Sequence, residues 1–462
     1  MVNTSISRSV AWQLIGKFFL QGVAFFTTPI FTRLLTPSDY GYVALYNSWL
    51  SMVTLFIGLE VGGSIANARI RYQIENPFKY LSSILTISSI SFFVFLFIGI
   101  FFKDVLSSIL KLRQDLVILL IVHSYATFVI SFLVIKYDAF KQVEKSAILS
   151  LLQSIVVVIC SLLFVFYGKG HKAESRIYGQ AIPTIVMSLI IVFFIYIKGK
   201  VFWNSEYNKF CLKLTLPLIA HSIGGVVFSQ SDKVMLQYMA DDTALGIYSV
   251  VYSLCSILTI IYSALNVAWV PFYYDYKNQQ NTSQILIHSK RYIKFFTLLC
   301  IGFMLLSTDV LKIIAPSSYW SGTSIIWILV LSIYFRFLYL FPANHEFYNC
   351  KNIIAPIGTV FAASVNIIAN YILISKYGVS GAALGTLIAN LCLFLFHSFM
   401  VKFFVKESFE YSWKFYFPWC VCLLVFVHIS PVISNFVIIR WILSFFLGVY
   451  IITDIIKHKS FF

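Results

Sequence analysis

The chain alternates long apolar runs with short polar breaks from one end to the other. An α-helix needs about 20 apolar residues to cross roughly 30 Å of hydrocarbon. Runs of that length fall at 10–34, 41–63, 81–102, 116–138, 147–167, 177–197, 212–237, 246–271, 290–312, 323–345, 353–376, 380–403, 414–432 and 435–456. The pattern predicts an all-α integral membrane protein of about 14 transmembrane helices. The longest breaks, Ser64–Tyr80, Lys198–Leu212 and Tyr273–His288, read as loops after segments two, six and eight, and so fall on one face of the membrane. None is long enough for a soluble domain. The first run, Val10–Leu35, exceeds the apolar core of a signal peptide and lacks a small-residue cleavage pattern, so it is expected to be the first helix of the mature protein.

Composition agrees with the pattern. Of 462 residues 60% are hydrophobic and 11% charged, against about 45–50% and 25% in soluble domains, too few charges to cover a soluble surface. The 46 Phe and 28 Tyr suit lipid-facing surfaces and interfacial belts. Eight scattered Cys, the pair Cys420/Cys422 included, lack metal-ligand spacing and read as small apolar fillers, so no metal or cofactor is expected.

The net charge of +16 is explained by orientation. With both termini in the cytoplasm, 21 Lys/Arg fall on that side and 11 on the other, while Lys17 and Arg336 lie inside apolar segments. Positive charge concentrates on cytoplasmic loops, and the same loops facing anionic lipid require no nucleic-acid partner.

An internal repeat organises the segments. The turn Leu35-Thr36-Pro37-Ser38-Asp39-Tyr40-Gly41 aligns with Ala240-Asp241-Asp242-Thr243-Ala244-Leu245-Gly246, and Ser48 aligns with Ser253. Gly179, near the start of segment six, aligns with Gly385 in segment twelve at nearly the same separation. Repeats in transporters often frame a central path. The simplest reading is two pseudo-symmetric six-helix bundles, 1–205 and 206–408, followed by a helix pair, 409–462.

These residues resemble a family. The Arg33–Gly41 turn is similar to the first-loop signature of polysaccharide transporters in the multidrug/oligosaccharidyl-lipid/polysaccharide (MOP) exporter superfamily. So are Pro217 through Ser229-Gln230-Ser231-Asp232-Lys233, Gly246-Ile247-Tyr248-Ser249, Ala268-Trp269-Val270-Pro271 and the turn Tyr377–Gly385. The chain looks most like the Wzx-type O-antigen flippases. The resemblance implies a MOP-type fold and translocation of undecaprenyl-diphosphate-linked oligosaccharide across the bacterial inner membrane. It further implies a polysaccharide polymerase and a chain-length regulator as partners, and membrane lipids as surroundings.

The mechanism is argued from charges inside segments, since a charged residue at a helix centre costs at least about 2.5–3.5 kcal/mol and so faces a cavity or a partner. Lys17 and Glu60 lie near the cytoplasmic ends of segments one and two. Either Lys17 attracts a diphosphate in a central cleft with Glu60 as its counter-charge, or Lys17 snorkels to the interface and Glu60 is solvated. Asp232 and Lys233 are adjacent and so about 100° apart on a helix. Asp232 suits a proton, a sodium ion or sugar hydroxyls; the alternative is a cap and a headgroup contact. Arg336, mid-segment among apolar neighbours, suits phosphate binding or a structural ion pair. Glu346 reads as interfacial, and Arg33 and Arg440 as headgroup anchors. His123, His221, His397 and His428 read as hydrogen-bonded core or interface residues, with His221 set apart because Pro217 and Gly224-Gly225 would bend its helix. Gln13, Gln21, Gln180 and Gln230 are suited to sugar hydroxyls or to bonds between helices.

No catalytic constellation stands out. A glycan polymerase or ligase would carry a long non-membrane loop, a drug antiporter an acidic cavity and twelve helices, and a peptidoglycan-precursor flippase a cavity richer in Arg. The expectation is a transporter, not an enzyme, working by alternating access with a cleft lined by segments one, two, seven and eight. Coupling to a H+ or Na+ gradient fits this scheme, and the sequence names no ion.

Overall fold

The computed structural model describes residues 26–73, 76–405, 408–434 and 436–458, and among them it holds helices and turns with no strand. The chain divides into two compact units, Met1–Val234 and Met235–Phe462.

The first unit contains α1 (described from 26 to 34), α2 (Pro37–Gly58), a 3-10 turn (Val61–Ser64), α3 (Ile65–Arg71) and α4 (Phe78–Phe101), then α5 (Lys103–Leu110), α6 (Gln114–Ala139), α7 (Val143–Tyr167) and α8 (Lys172–Gly199). The helix α9 (Ser205–Met239) crosses the division. The second unit continues with α10 (Asp242–Asn278), α11 (Thr282–Ile314), a 3-10 helix (Ser317–Ile325), α12 (Ile326–Leu338), α13 (Leu340–Tyr348), α14 (Ile354–Phe404), α15 (Trp413–Ser434) and α16 (Val437–His458).

Among the described residues ten helices are long and apolar enough to cross a membrane, or eleven with the bent α2–α3 pair taken as one. The 51 residues of α14 would make a straight rod of about 75 Å, over twice the hydrocarbon thickness. They bend instead at Gly378, whose φ of 52° and ψ of −124° suit a residue without Cβ. Taken as two crossings, and with α1 and α15 added, the tally is compatible with fourteen.

Each unit has an inner helix. α6 packs against α2, α4, α7 and α8, and α12 against α10, α11 and α14. The outer helices α7 and α16 bury little and present Ile148, Leu152, Ile155, Phe445 and Phe446 outward. That distribution is the reverse of a soluble bundle and suits lipid as the solvent.

The repeat has a structural cause. Thr36 caps α2: its Oγ1 accepts from Asp39 N (3.2 Å) while Thr36 N donates to Asp39 Oδ2 (3.1 Å), with Pro37 at the first helical position. Asp241 caps α10 through Ala244 N (2.7 Å), again five residues before the aligned glycine. Gly179 and Gly385 also match in role. A Cβ on the first would strike the Ser161 backbone of α7, and one on the second the side chain of Asn370, so each admits close packing of successive crossings.

All three expected loops are mostly helix, Ser64–Tyr80 through α3 and the start of α4. Within 198–212, α9 already begins at Ser205, where Asn204 Oδ1 accepts from Glu206 N and Tyr207 N (3.0 and 3.1 Å). Within 273–288, α10 and α11 run beyond their apolar cores to a turn of three residues, capped by Asn281 Oδ1 on Gln284 N (3.2 Å). Polarity marks where the membrane ends, and capped helices continue past it. The amphipathic α5 was not expected either; Trp49 Nε1 ties its last carbonyl, Leu110 O, to α2 (3.1 Å).

Replacing Thr36 with Ala removes the side-chain half of its cap, the Oγ1 that accepts from Asp39 N, and leaves the backbone N–H bond to Asp39 Oδ2. The purified protein in detergent should lose about 1 kcal/mol of stability, read as a lower thermal midpoint, and Thr36→Ser should retain it.

Candidate substrate-handling site

In the first unit the second crossing bends by 49° between α2 and the helical residues from Val61. Leu59 and Glu60 both take left-handed conformations (φ 49° and 51°), each costing roughly 1–2 kcal/mol for a residue with a Cβ. Carbonyls freed by the break are taken by side chains: Ser88 Oγ donates to Gly58 O (3.0 Å) and Ser64 Oγ to Val61 O (2.7 Å), while Tyr80 Oη donates to Ser64 Oγ (2.8 Å). Ser64 Oγ also lies 3.3 Å from Cys211 Sγ, which joins the bend to α9. Glu60 therefore sits half-buried on a stitched kink, not inside a regular helix, and among the described residues no cation pairs with its carboxylate. Lys17, Gln13 and Gln21 lie outside the described residues.

The α9 candidates gather locally. Lys233 Nζ donates to Gln230 Oε1 one turn back (3.2 Å), and Asp232, 2% exposed, accepts the Lys233 backbone N–H (2.9 Å). α9 is helical from Ser205 to Met239 with Pro217 inside it, and His221 is exposed on it.

In the second unit Arg336 lies in the last turn of α12, where the phenols of Tyr252, Tyr262 and Tyr339 act on its charge. The helix breaks at Tyr339 because Pro342 has no N–H to offer Leu338 O and its ring crowds that carbonyl. The break turns Tyr339 onto the ring of His397, with centroids 4.9 Å apart. His397 Nδ1 in turn shares hydrogen bonds of 2.9 and 2.8 Å with both carboxylate oxygens of Glu346. Glu346 is 1% exposed, so it is a buried partner of His397 rather than an interfacial residue. The arrangement is a cation bordered by phenols, backed by a buried acid–imidazole pair. Such a wall can hold an anion and, through the phenols, sugar hydroxyls.

Next to it lies a second polar knot. Tyr273 Oη contacts His345 Nδ1 (2.8 Å) and donates to Glu410 Oε2 (3.3 Å), and Lys277 pairs with Glu410 Oε1. Burial raises the pKa of Tyr411, beside it, above the ordinary phenol value. Its hydroxyl stays protonated and shares a proton with Ser289 Oγ (2.7 Å). Glu410 and Lys277 lie in a polar stretch and gave no sequence signal, because the residues they meet are more than a hundred positions away or on another helix. The tyrosines around Arg336 were legible only in part: Tyr339 stands three residues on, on the same helix face.

Two other expectations change. Arg440 is 4% exposed and donates from Nη1 to Leu305 O (3.1 Å) and from Nη2 to Asp309 Oδ1 (3.0 Å), so it ties α16 to α11 instead of reaching headgroups. His123 is buried and bonds Tyr46 Oη (3.2 Å), as expected of a core histidine, whereas His428 is exposed.

Many crossings, lipid-facing outer helices and polar groups buried at broken helices define a multi-pass membrane transporter fold. The solved structure of a lipid II flippase, MurJ, in an inward closed conformation superposes with a TM-score of 0.74 at 18% identity, covering 96% of this chain and 98% of that one. Residues 6–277 match the polysaccharide biosynthesis protein family, and the chain belongs to it. A probable low-salt glycan biosynthesis flippase, Agl15, of Haloferax volcanii is 22% identical over 461 residues, spanning 96% of this chain and 93% of its own. Lsg locus putative protein 1 of Haemophilus influenzae is 23% identical over 362 residues, 73% of this chain and 84% of its own. The Haloferax relative and the solved structure are flippases by name, not enzymes.

The Glu346–His397 pair has a measurable signature. Glu346→Ala and His397→Ala should each cost about 1–3 kcal/mol by stranding a buried polar partner. The double variant should cost less than their sum in thermal unfolding of the detergent-solubilised protein; strict additivity would show that the two groups do not interact.

Proposed function

We propose that this protein flips an undecaprenyl-diphosphate-linked oligosaccharide, an O-antigen or similar surface polysaccharide repeat unit, across the bacterial inner membrane. It works by alternating access of the halves 1–205 and 206–408, with 409–462 appended and both termini in the cytoplasm. Family membership supports a glycan-linked cargo. The observation that carries the site assignment is Arg336 in the last turn of α12, with the phenols of Tyr252, Tyr262 and Tyr339 acting on its charge. A guanidinium matches a diphosphate oxygen pair in geometry and charge, and phenols offer sugars many weak bonds. Lys17 acts as a second cation toward the diphosphate, with Glu60 as its counter-charge in the empty state. The kinked second crossing supports a moving part there, since strained backbone collects where elements switch. Asp232, Lys233, Gln230, Gln21 and His221 complete the cleft-lining set, and Asp232 takes the coupling H+ or Na+. The polymerase and chain-length regulator act on the delivered unit.

In cells carrying the matching glycan pathway, Arg336→Ala should lower surface polysaccharide about tenfold or more, the equivalent of losing one charged hydrogen bond, with lipid-linked repeat units accumulating. Arg336→Lys should restore part of it. Normal polysaccharide with both Arg336→Ala and Lys17→Ala would sink the cationic site. Orientation is checked separately: a C-terminal alkaline phosphatase fusion should be inactive and a C-terminal green fluorescent protein fusion bright, and the opposite result would reverse the topology.

A further inference from the structure

The last turn of α6 holds a cation that the transport scheme does not use. Lys136 is 5% exposed, and its ammonium lies 4.3, 5.2 and 5.7 Å from the ring centroids of Tyr137, Phe78 and Phe140. Among the described residues its one polar contact is Gln142 Oε1 at 3.5 Å. Two of those rings are shared with other cations. Lys198 of α8 stands 5.4 Å from Phe78, and Arg69 of α3 stands 5.1 Å from Phe140. Lys145 and Lys198 are the charges that act on Lys136. Among the described residues no carboxylate pairs with Arg69, Lys136 or Lys198.

Cation–π contacts offset part of the cost of burying one ammonium, but they do nothing about repulsion among three or four like charges. A buried charge normally has a counter-charge. The cluster sits where α3, α6 and α8 end and α4 begins, which is where apolar helices are expected to leave hydrocarbon for headgroups. Basic pockets between crossings at that level suit phosphate-bearing headgroups.

We propose that Lys136, Lys198 and Arg69 form a binding site for the phosphate of an anionic lipid headgroup, with Phe78, Tyr137 and Phe140 as its aromatic floor. The lipid supplies the missing negative charge and ties α4, α6 and α8 together at this end. The site stands on these residues alone and does not depend on what the protein carries.

The test uses the full chain purified in detergent, with phosphatidylglycerol, phosphatidylcholine or inorganic phosphate added, read by native mass spectrometry and thermal unfolding. Phosphatidylglycerol should bind roughly tenfold or more tighter than phosphatidylcholine and raise the thermal midpoint. Lys136→Met should abolish that preference, Lys136→Arg should keep it, and Lys198→Met should weaken it. In phosphatidylcholine alone, Lys136→Met should unfold at or above the wild-type midpoint, because the substitution removes an uncompensated charge. A Lys136→Met protein destabilised in phosphatidylcholine, or one still preferring phosphatidylglycerol, would overturn the proposal. An equal shift from inorganic phosphate alone would reassign the site to a soluble anion.

Discussion

The constraint on which this structure depends is that a backbone inside hydrocarbon has no water to bond. Each peptide group must find its partner within its own helix, and any break must be repaired locally. The three breaks show the repair in different forms. At Gly58–Ser64, two serine hydroxyls take the freed carbonyls and a tyrosine hydroxyl bonds one of those serines. At Tyr339 the missing donor belongs to Pro342, and the chain resumes as a helix within two residues. At Gly378 a residue without Cβ absorbs the turn between two crossings.

Charge is handled by the same economy. Arg440 is satisfied by an acid and a carbonyl on a neighbouring helix. Lys277 shares Glu410 with a tyrosine. Arg336 lies among phenols that act on its charge, Tyr252, Tyr262 and Tyr339. Lys136 is bordered by rings and by other cations. The groups that are fully compensated hold helices together. A cation such as Lys136, held against aromatic faces and other cations, retains a field that an anion can answer.

Membership of a polysaccharide biosynthesis family supports the proposed cargo, a large amphiphile. Such a cargo has a compact anionic point, a broad polar glycan and a lipid tail. A protein that releases it cannot bind every hydroxyl tightly, which favours a few cations and many weak phenol and amide contacts over a dense charged pocket.

The sequence by itself determined the class, an all-α membrane protein built from long apolar helices. Apolar run length is set by bilayer thickness, and the caps at Thr36 and Asp241 are local signals read within four residues. It also carried Arg336, because a lone guanidinium in an apolar run stands out against its neighbours. What only the tertiary structure decided is which polar groups meet: Glu346 with His397, Arg440 with Asp309, Tyr273 with Glu410, and Lys136 with rings from other elements. These pairs lie far apart in the chain or depend on how neighbouring helices are rotated, and periodicity carries no information about either. Whether a buried charge is neutralised or left available is therefore a property of the packed helices.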